Sequence, residues 1–426
     1  MSSFLPLIII SAAVTCFVTF INTNFALVIL IFSMLLSPEI PLGAIADRTV
    51  VIRIDDILIF IVFFTWLLKL ALNKELGLFR RSVLNSPIRI YMVVLIIATL
   101  LGIFNGYVDM AKAFFFLLKY FEYFILFFMV SNNVKSRKQV KVFIFFILLT
   151  AMITCVFAIH QRGYSGRLSA PFEGVEQGRG EPNTLGGYLM FISALIAGLL
   201  LYNRDPFIGL FLSGLAGLVL FTLSGTLSRG SYLGFMAVFL ALTILTTKKR
   251  AALIFLMLLF ILSHKFILPP KVIERVTKTF IPDRVYEPWP GVRINLDYSA
   301  SARLESWRWV LRRWQANPIL GYGVTGSGFI DTQFPLVLAE TGIVGLAAYI
   351  WLLVTIFKAS LQVFKSTEDN YFRGLCLGFI AGFIGLFIHS FSAATFIVIR
   401  IMEPFWFLAA TVLMLPEVKN PTQSLP

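Results

Sequence analysis

Apolar runs of roughly 17–25 residues, repeated along most of the chain, constrain the fold more than anything else in this sequence. As a helix, each is long enough to cross about 30 Å of hydrocarbon. Inside a bilayer every backbone polar group must find its partner within the protein, which leaves helices or a closed barrel, and the runs lack the two-residue alternation of a barrel. The runs fall at residues 4–21, 25–36, 57–72, 90–104, 113–130, 140–159, 185–202, 207–223, 231–245, 251–268, 334–357, 372–389 and 395–415. The first two are short enough to form one tight hairpin. The expected fold is therefore an all-α polytopic membrane protein with about 12–13 transmembrane helices and a large external loop containing amphipathic helices. With 58% hydrophobic and only 14% charged residues, the chain cannot cover a soluble surface.

Lysine-bearing loops at residues 74–89, 135–141, 248–250 and 358–373 alternate with the spans as cytoplasmic loops should, which puts the C-terminus inside. The division that follows is N-terminal helices at 1–160, an external loop at 161–183, helices at 184–268, a large external loop at 269–333, helices at 334–415 and a cytoplasmic tail at 416–426. The N-terminus has no basic region or cleavage site, so its first apolar segment is expected to remain. Cys16, Cys155 and Cys376 lie in apolar runs as small packing residues, and nothing in their spacing suggests a disulfide framework or zinc.

The external segments carry arginine rather than lysine: Arg162, Arg167, Arg179, Arg229, Arg275, Arg284, Arg293, Arg303, Arg308, Arg312 and Arg313. A guanidinium is a rigid fork suited to phosphate or carboxylate, so the cluster points to an anionic ligand. The bland alternative is pairing with Glu173, Glu176, Glu181, Glu274, Glu287 or Glu305. Most telling is the stretch at 299–345, which passes from a polar helix through a glycine-rich loop into an apolar span. Leu304, Trp307, Leu311 and Trp314 define an apolar face for that helix, with Ser301 as its N-cap. The following GYGVTG matches GxGxxG, yet it follows a helix and lies outside any βαβ unit, so no nucleotide or nucleic acid is expected.

Asp331, Gln333 and Glu340 then lead into the span. Asp331 could be a general base or a helix cap, while Glu340, deeper, could orient an arginine. His160, His264 and His389 sit near span ends without the spacing of a metal motif, and no metal or cofactor is expected. Asp55 and Asp56 read as a solvated helix start, with cation binding as the alternative, and Lys119 with Glu122 and Arg400 with Glu403 as local i,i+3 pairs, with a lining of the ligand cavity as the sharper reading.

The chain resembles the O-antigen ligase and polymerase superfamily of bacterial envelope glycosyltransferases, a GT-C-like group. The resemblance rests on Arg303 and Trp307, the run Asn317-Pro318-Ile319-Leu320-Gly321-Tyr322-Gly323, and Ala339-Glu340-Thr341-Gly342-Ile343-Val344-Gly345. Arg167 followed by Glu181-Pro182-Asn183, and Leu227-Ser228-Arg229-Gly230, extend it. Ligases of the group place a histidine nine residues before the glutamate of E-x-G, where this chain has Asp331, which favours a polymerase over a lipid A core ligase.

The resemblance implies transfer of glycan from an undecaprenyl-diphosphate-linked donor to an acceptor hydroxyl at the outer face of the bacterial inner membrane, metal-independent and inverting. Arg167, Arg229 and Arg303 would meet the diphosphate, with Arg308, Arg312, Gln333 and Glu340 as further substrate-binding candidates and Asp331 as base. Its partners would be the lipid-linked donor and acceptor, the bilayer and a chain-length regulator. A flippase or transporter for an anionic lipid, and a scaffold for other envelope enzymes, are the readings from other classes.

Overall fold

A computed structural model describes residues 16–17, 19–45, 48–72, 80–161, 166–173, 180–246, 249–267, 269–278, 284–289, 292–296, 298–328 and 330–418. Most of the expected first span, Arg162, Glu176, Arg179 and most of the C-terminal tail lie outside the described residues, as do the side chains of His264, Arg284, Glu287 and Arg293.

The fold is all-α. Its helices are α1 (Thr23–Leu36), α2 (Ile54–Leu72), α3 (Asn85–Phe104), α4 (Met110–Asn133), α5 (Arg137–His160), α6 (Pro182–Tyr202), α7 (Pro206–Gly225), α8 (Arg229–Leu245), α9 (Arg250–Ile267), α10 (Pro270–Thr277), α11 (Tyr298–Trp314), α12 (Gln333–Ser366), α13 (Asn370–His389) and α14 (Ile399–Leu413). Among the described residues, eight helices are long and apolar enough to cross a membrane by length and composition, which makes this a multi-pass membrane protein. Two antiparallel hairpins that hydropathy did not anticipate join the helices, β1 (Glu39–Ile45) with β2 (Arg48–Arg53), and β3 (Arg284–Trp289) with β4 (Val292–Leu296).

Polar residues in the connections set the helix starts. Asp109, Ser136, Asp205, Ser228 and Asp369 each accept a hydrogen bond from a backbone N–H of the first turn that follows. Hydrophobicity cannot drive helices together in lipid, so close packing must, and α6, α8 and α13 meet through small residues. A Cβ on Gly374 would lie 2.6 Å from the Gly198 carbonyl oxygen, and one on Gly234 2.9 Å from that of Gly385. The three form the tightest part of the bundle, and α12 packs with α3 while α14 packs with α4.

The glycine-rich loop and α12 complete one another. At Gly342 the helix breaks, with φ 64° and ψ −163°. That break frees backbone groups which must be satisfied. The loop enters the gap: Tyr322 and Gly323 donate to the Ala339 and Glu340 carbonyls at 2.9 and 2.8 Å, while Ile343 and Val344 donate to those of Pro318 and Ile319 at 3.0 and 3.3 Å. The Glu340 carboxylate closes the joint, accepting from the Thr325 N–H at 2.9 Å and the Tyr120 hydroxyl at 3.2 Å. Both motifs of the resemblance, P-x-L-G-x-G and E-x-G, are thus halves of a single joint, and the glycines serve backbone packing. A side chain at Gly342 would meet the Ile319 carbonyl in a positive-φ extended backbone that is essentially restricted to glycine and costs about 1–3 kcal/mol by itself. Overpacking adds about 1–3 kcal/mol. Gly342→Ala is therefore expected to lower the melting temperature clearly in detergent; an unchanged melting curve would contradict the joint.

Three local readings of the sequence are corrected. Ser301 is not a cap: α11 begins at Tyr298, and Ser301 is 4% exposed within the helix. The inward face of α11 is marked by Ser301 and Val310, whereas Leu304 and Leu311 are exposed, as suits a helix whose outer apolar residues face lipid. Asp55 and Asp56 are buried rather than solvated, and Arg400 reaches Glu39 rather than Glu403.

Candidate active site

The loops between α5 and α6, α7 and α8, and α9 and α12 all lie at one end of the bundle, with α13 ending and α14 beginning there. Asp331 is fixed at that end by its neighbours. Ile330 packs with Val310, Leu336 and Ala339, and Gln333 is clamped, its N–H donating to the Ser390 carbonyl at 3.2 Å and its side-chain oxygen accepting from Phe396 at 2.8 Å. The helix cap of α12 is Thr332, so the alternative of Asp331 as a cap falls away. Arg303, two turns from the buried Val310 on α11, faces it, with Nε 3.9 Å from Oδ2 of Asp331. Burial raises the Asp331 carboxyl above the ordinary aspartate range, and the Arg303 charge draws it back.

A second group forms at the α7–α8 turn. The non-glycine residue Leu227 has φ 51°, a costly backbone for leucine. Arg167 braces that turn, its Nε donating to the Thr226 carbonyl at 3.0 Å and Nη2 to that of Leu227 at 3.3 Å, while the Leu168 N–H bonds the Gly225 carbonyl. The turn delivers Arg229 to the first position of α8, where the helix N-terminus already favours an anion. Burial, together with the charges of Arg275 and Arg229, brings the Arg167 guanidinium below its ordinary value. The Nε of Arg275 is buried without a hydrogen-bond partner among the described residues.

Glu181, immediately before α6, joins the two groups. Burial and the Asp331 charge raise its carboxyl, opposed by a hydrogen bond from Asn183 and by Arg167. Among the described residues, Arg167, Arg229, Arg275 and Arg303 thus stand with the carboxyls of Asp331 and Glu181, an excess of positive charge suited to a multiply charged anion.

Behind this surface runs a buried polar chain. Ser228 donates to the Asn183 side-chain oxygen at 2.8 Å, Ser231 lies 2.8 Å from Ser228 and 3.2 Å from Nε2 of His389, and Nδ1 of His389 lies 2.7 Å from the Thr395 hydroxyl. The Thr395 hydroxyl also lies 3.3 Å from the Ala393 carbonyl, so the directions of the bonds along this chain follow the tautomer of His389. His389, 1% exposed, is a hydrogen-bonded packing residue that aligns Asn183 beside Glu181.

The sequence candidates divide accordingly. Arg167, Arg229, Arg303 and Asp331 gather at one end of the bundle. Gln333 and Glu340 are buried and bonded to the chain's own backbone. Arg312 is exposed, nine residues from Arg303, which is about half a turn round the helix, and Arg308 is turned by about 140°. Neither shares the face of Arg303. Arg275, one of many arginines in the sequence, was not singled out there; its place on a short helix after Pro269-Pro270 was the available signal. Among the described residues no group of three or more metal-ligating side chains occurs.

Residues 214–350 match the family described as O-Antigen ligase. No curated protein matches the chain. The matched segment includes Arg229, Arg275, Arg303, Asp331 and Glu340, whereas Arg167, Glu181 and His389 lie beyond it. The resemblance to the O-antigen ligase and polymerase superfamily holds, and with the polytopic helical fold it supports a membrane glycosyltransferase of that general type.

Proposed function

We propose that the chain is a polysaccharide polymerase of this type, joining glycan units carried on undecaprenyl diphosphate at the periplasmic face of the bacterial inner membrane. The observation that carries the reading is the Arg303–Asp331 pair, set beside Arg167, Arg229 and Arg275 at one end of an apolar bundle. Asp331 takes the proton of an acceptor sugar hydroxyl, whose oxygen attacks the anomeric carbon of the donor glycan. The bond from that carbon to the diphosphate oxygen breaks, its electron pair leaves on the diphosphate, and the in-line displacement inverts the configuration. Fixed arginines stabilise the charge that develops on the leaving group. The base contributes about 10² to 10⁴ in rate. A ligase would use the same chemistry with a different acceptor.

Purified protein given undecaprenyl-diphosphate-linked oligosaccharide should produce longer lipid-linked ladders. Transfer only to an added second acceptor would make it a ligase, and movement of the intact lipid across vesicles without transfer would overturn the reading in favour of a transporter.

The electrostatics also predict a pH profile. A base works deprotonated, so activity is full above the pKa of Asp331 and lost as pH falls through it; burial places that limb above the ordinary aspartate value of about 3.9. Arg303→Gln removes the positive neighbour that draws the Asp331 carboxyl down, so the acid limb of the activity that remains should move to higher pH. A limb that stays in place would separate Arg303 from the base.

A further inference from the structure

Away from the candidate site, six ionisable side chains meet inside the bundle: Arg53 at the end of β2, Asp55 and Asp56 at the start of α2, Lys119 and Glu122 in α4, and Glu403 in α14. Asp55 and Glu403 are 0% exposed and Glu122 1%. They form two similar units. In one, Arg53 pairs with Asp55 and stands 3.7 Å from Glu403; in the other, Lys119 pairs with Asp56 and stands 3.7 Å from Glu122.

Within each unit the two carboxyl groups share one cationic nitrogen: Oδ2 of Asp55 and Oε2 of Glu403 both lie against Nη2 of Arg53, and Oδ2 of Asp56 and Oε2 of Glu122 both lie against Nζ of Lys119. One cation balances one carboxylate, so each pair is neutralised only with a proton held between its two carboxyls. The other charged or titratable groups turned toward the cluster do not supply the missing positive charge. Arg400, near Arg53 and Asp55, is engaged by Glu39 and three backbone carbonyls and is also opposed by Glu173. Tyr123 faces Glu122 as a neutral phenol, and α1 contributes the Met34 carbonyl, which accepts from Arg53.

Four carboxyls against two cations would leave a double negative charge buried in an apolar bundle, at a cost of several kcal/mol per uncompensated ion. One proton in each carboxyl pair makes both units neutral. Oε1 of Glu122, Oδ1 of Asp56, Oδ1 of Asp55 and both oxygens of Glu403 are buried with no hydrogen-bond partner among the described residues, so no further donor reaches these oxygens.

We propose that this cluster is a proton-binding site that holds two protons at neutral pH, one shared between Asp55 and Glu403 with Arg53 as counter-ion, and one between Asp56 and Glu122 with Lys119. The site is independent of the glycosyl-transfer reading. It joins β2, α2, α4 and α14, the elements that seat the N-terminal helices against the rest of the bundle. The unfolded chain binds fewer protons at neutral pH than the folded one, so stability contributed here falls as pH rises.

The test is infrared spectroscopy of the detergent-purified full chain at pH 7, read in the stretching band of protonated carboxylic acids. Glu403→Gln and Glu122→Gln keep the neutral shape of each pair; each should remove one component of that band, and both variants should melt at or above the wild type at pH 8. Asp55→Asn and Asp56→Asn interrogate the same pairs should a glutamine variant not fold. A band unchanged in every folded variant overturns the proposal. So does loss of the wild-type band when sodium chloride replaces potassium chloride, which would make the cluster a sodium site, and so do neutral variants that melt lower than wild type at every pH.

Discussion

Asp331→Asn is expected to lower the rate of glycan transfer by about 10² to 10⁴-fold while leaving the protein folded. Asparagine has nearly the same shape and keeps an oxygen toward Arg303, but it cannot take a proton. The 3.9 Å ion pair with Arg303 is partly solvated, its side chains 25% and 40% exposed, so its loss should barely change stability. Initial rates at saturating donor, set beside melting curves, check both halves. A loss smaller than about tenfold would mean that another group removes the proton.

Arg400→Met should destabilise the fold by about 3–5 kcal/mol, the usual consequence of removing one member of a buried charged network. Methionine keeps the apolar stem, so packing alone does not account for the loss. Arg400 is 2% exposed and donates to the Leu35 and Pro171 carbonyls at 2.8 and 2.7 Å, to Ser37 at 3.2 Å and to Glu39 at 3.4 Å. It fastens the end of α1, the first hairpin and the loop that carries Arg167. Removing it leaves those carbonyls buried and releases the loop. Faster proteolysis between α5 and α6, with activity falling further than the unfolded fraction explains, is the expected signature. A melting temperature close to that of wild type would contradict the anchoring role.

Arg400 also shows where sequence reasoning stops. Its nearest carboxylate in sequence, Glu403, lies one helical turn away and invited a local pair, yet the actual partner is Glu39, brought near by tertiary packing. The apolar helices were legible because hydrocarbon thickness and helix rise fix the length of each run. The hairpin from Glu39 to Arg53 was not, because its strands are short and its partner Arg400 comes from the far end of the chain. The arginine-rich end was legible from composition, and Asp331 from its place ahead of the span. The work of Glu340 and the glycines was hidden, since a helix break and the loop that fills it are evident only when both are in place. Burial likewise turned Asp55 and Asp56 from a solvated helix start into part of a proton-balanced cluster.

Under the proposed function, one arginine-lined site at the end of the bundle cleaves a glycan from a lipid diphosphate. The most direct measurement is the rate of undecaprenyl-diphosphate release from a lipid-linked oligosaccharide by wild type, Arg303→Ala and Asp331→Asn in the same reconstituted preparation. Release by the wild type that falls at least about 100-fold in both folded variants is the predicted result. Release at near wild-type rates in both variants would contradict the site.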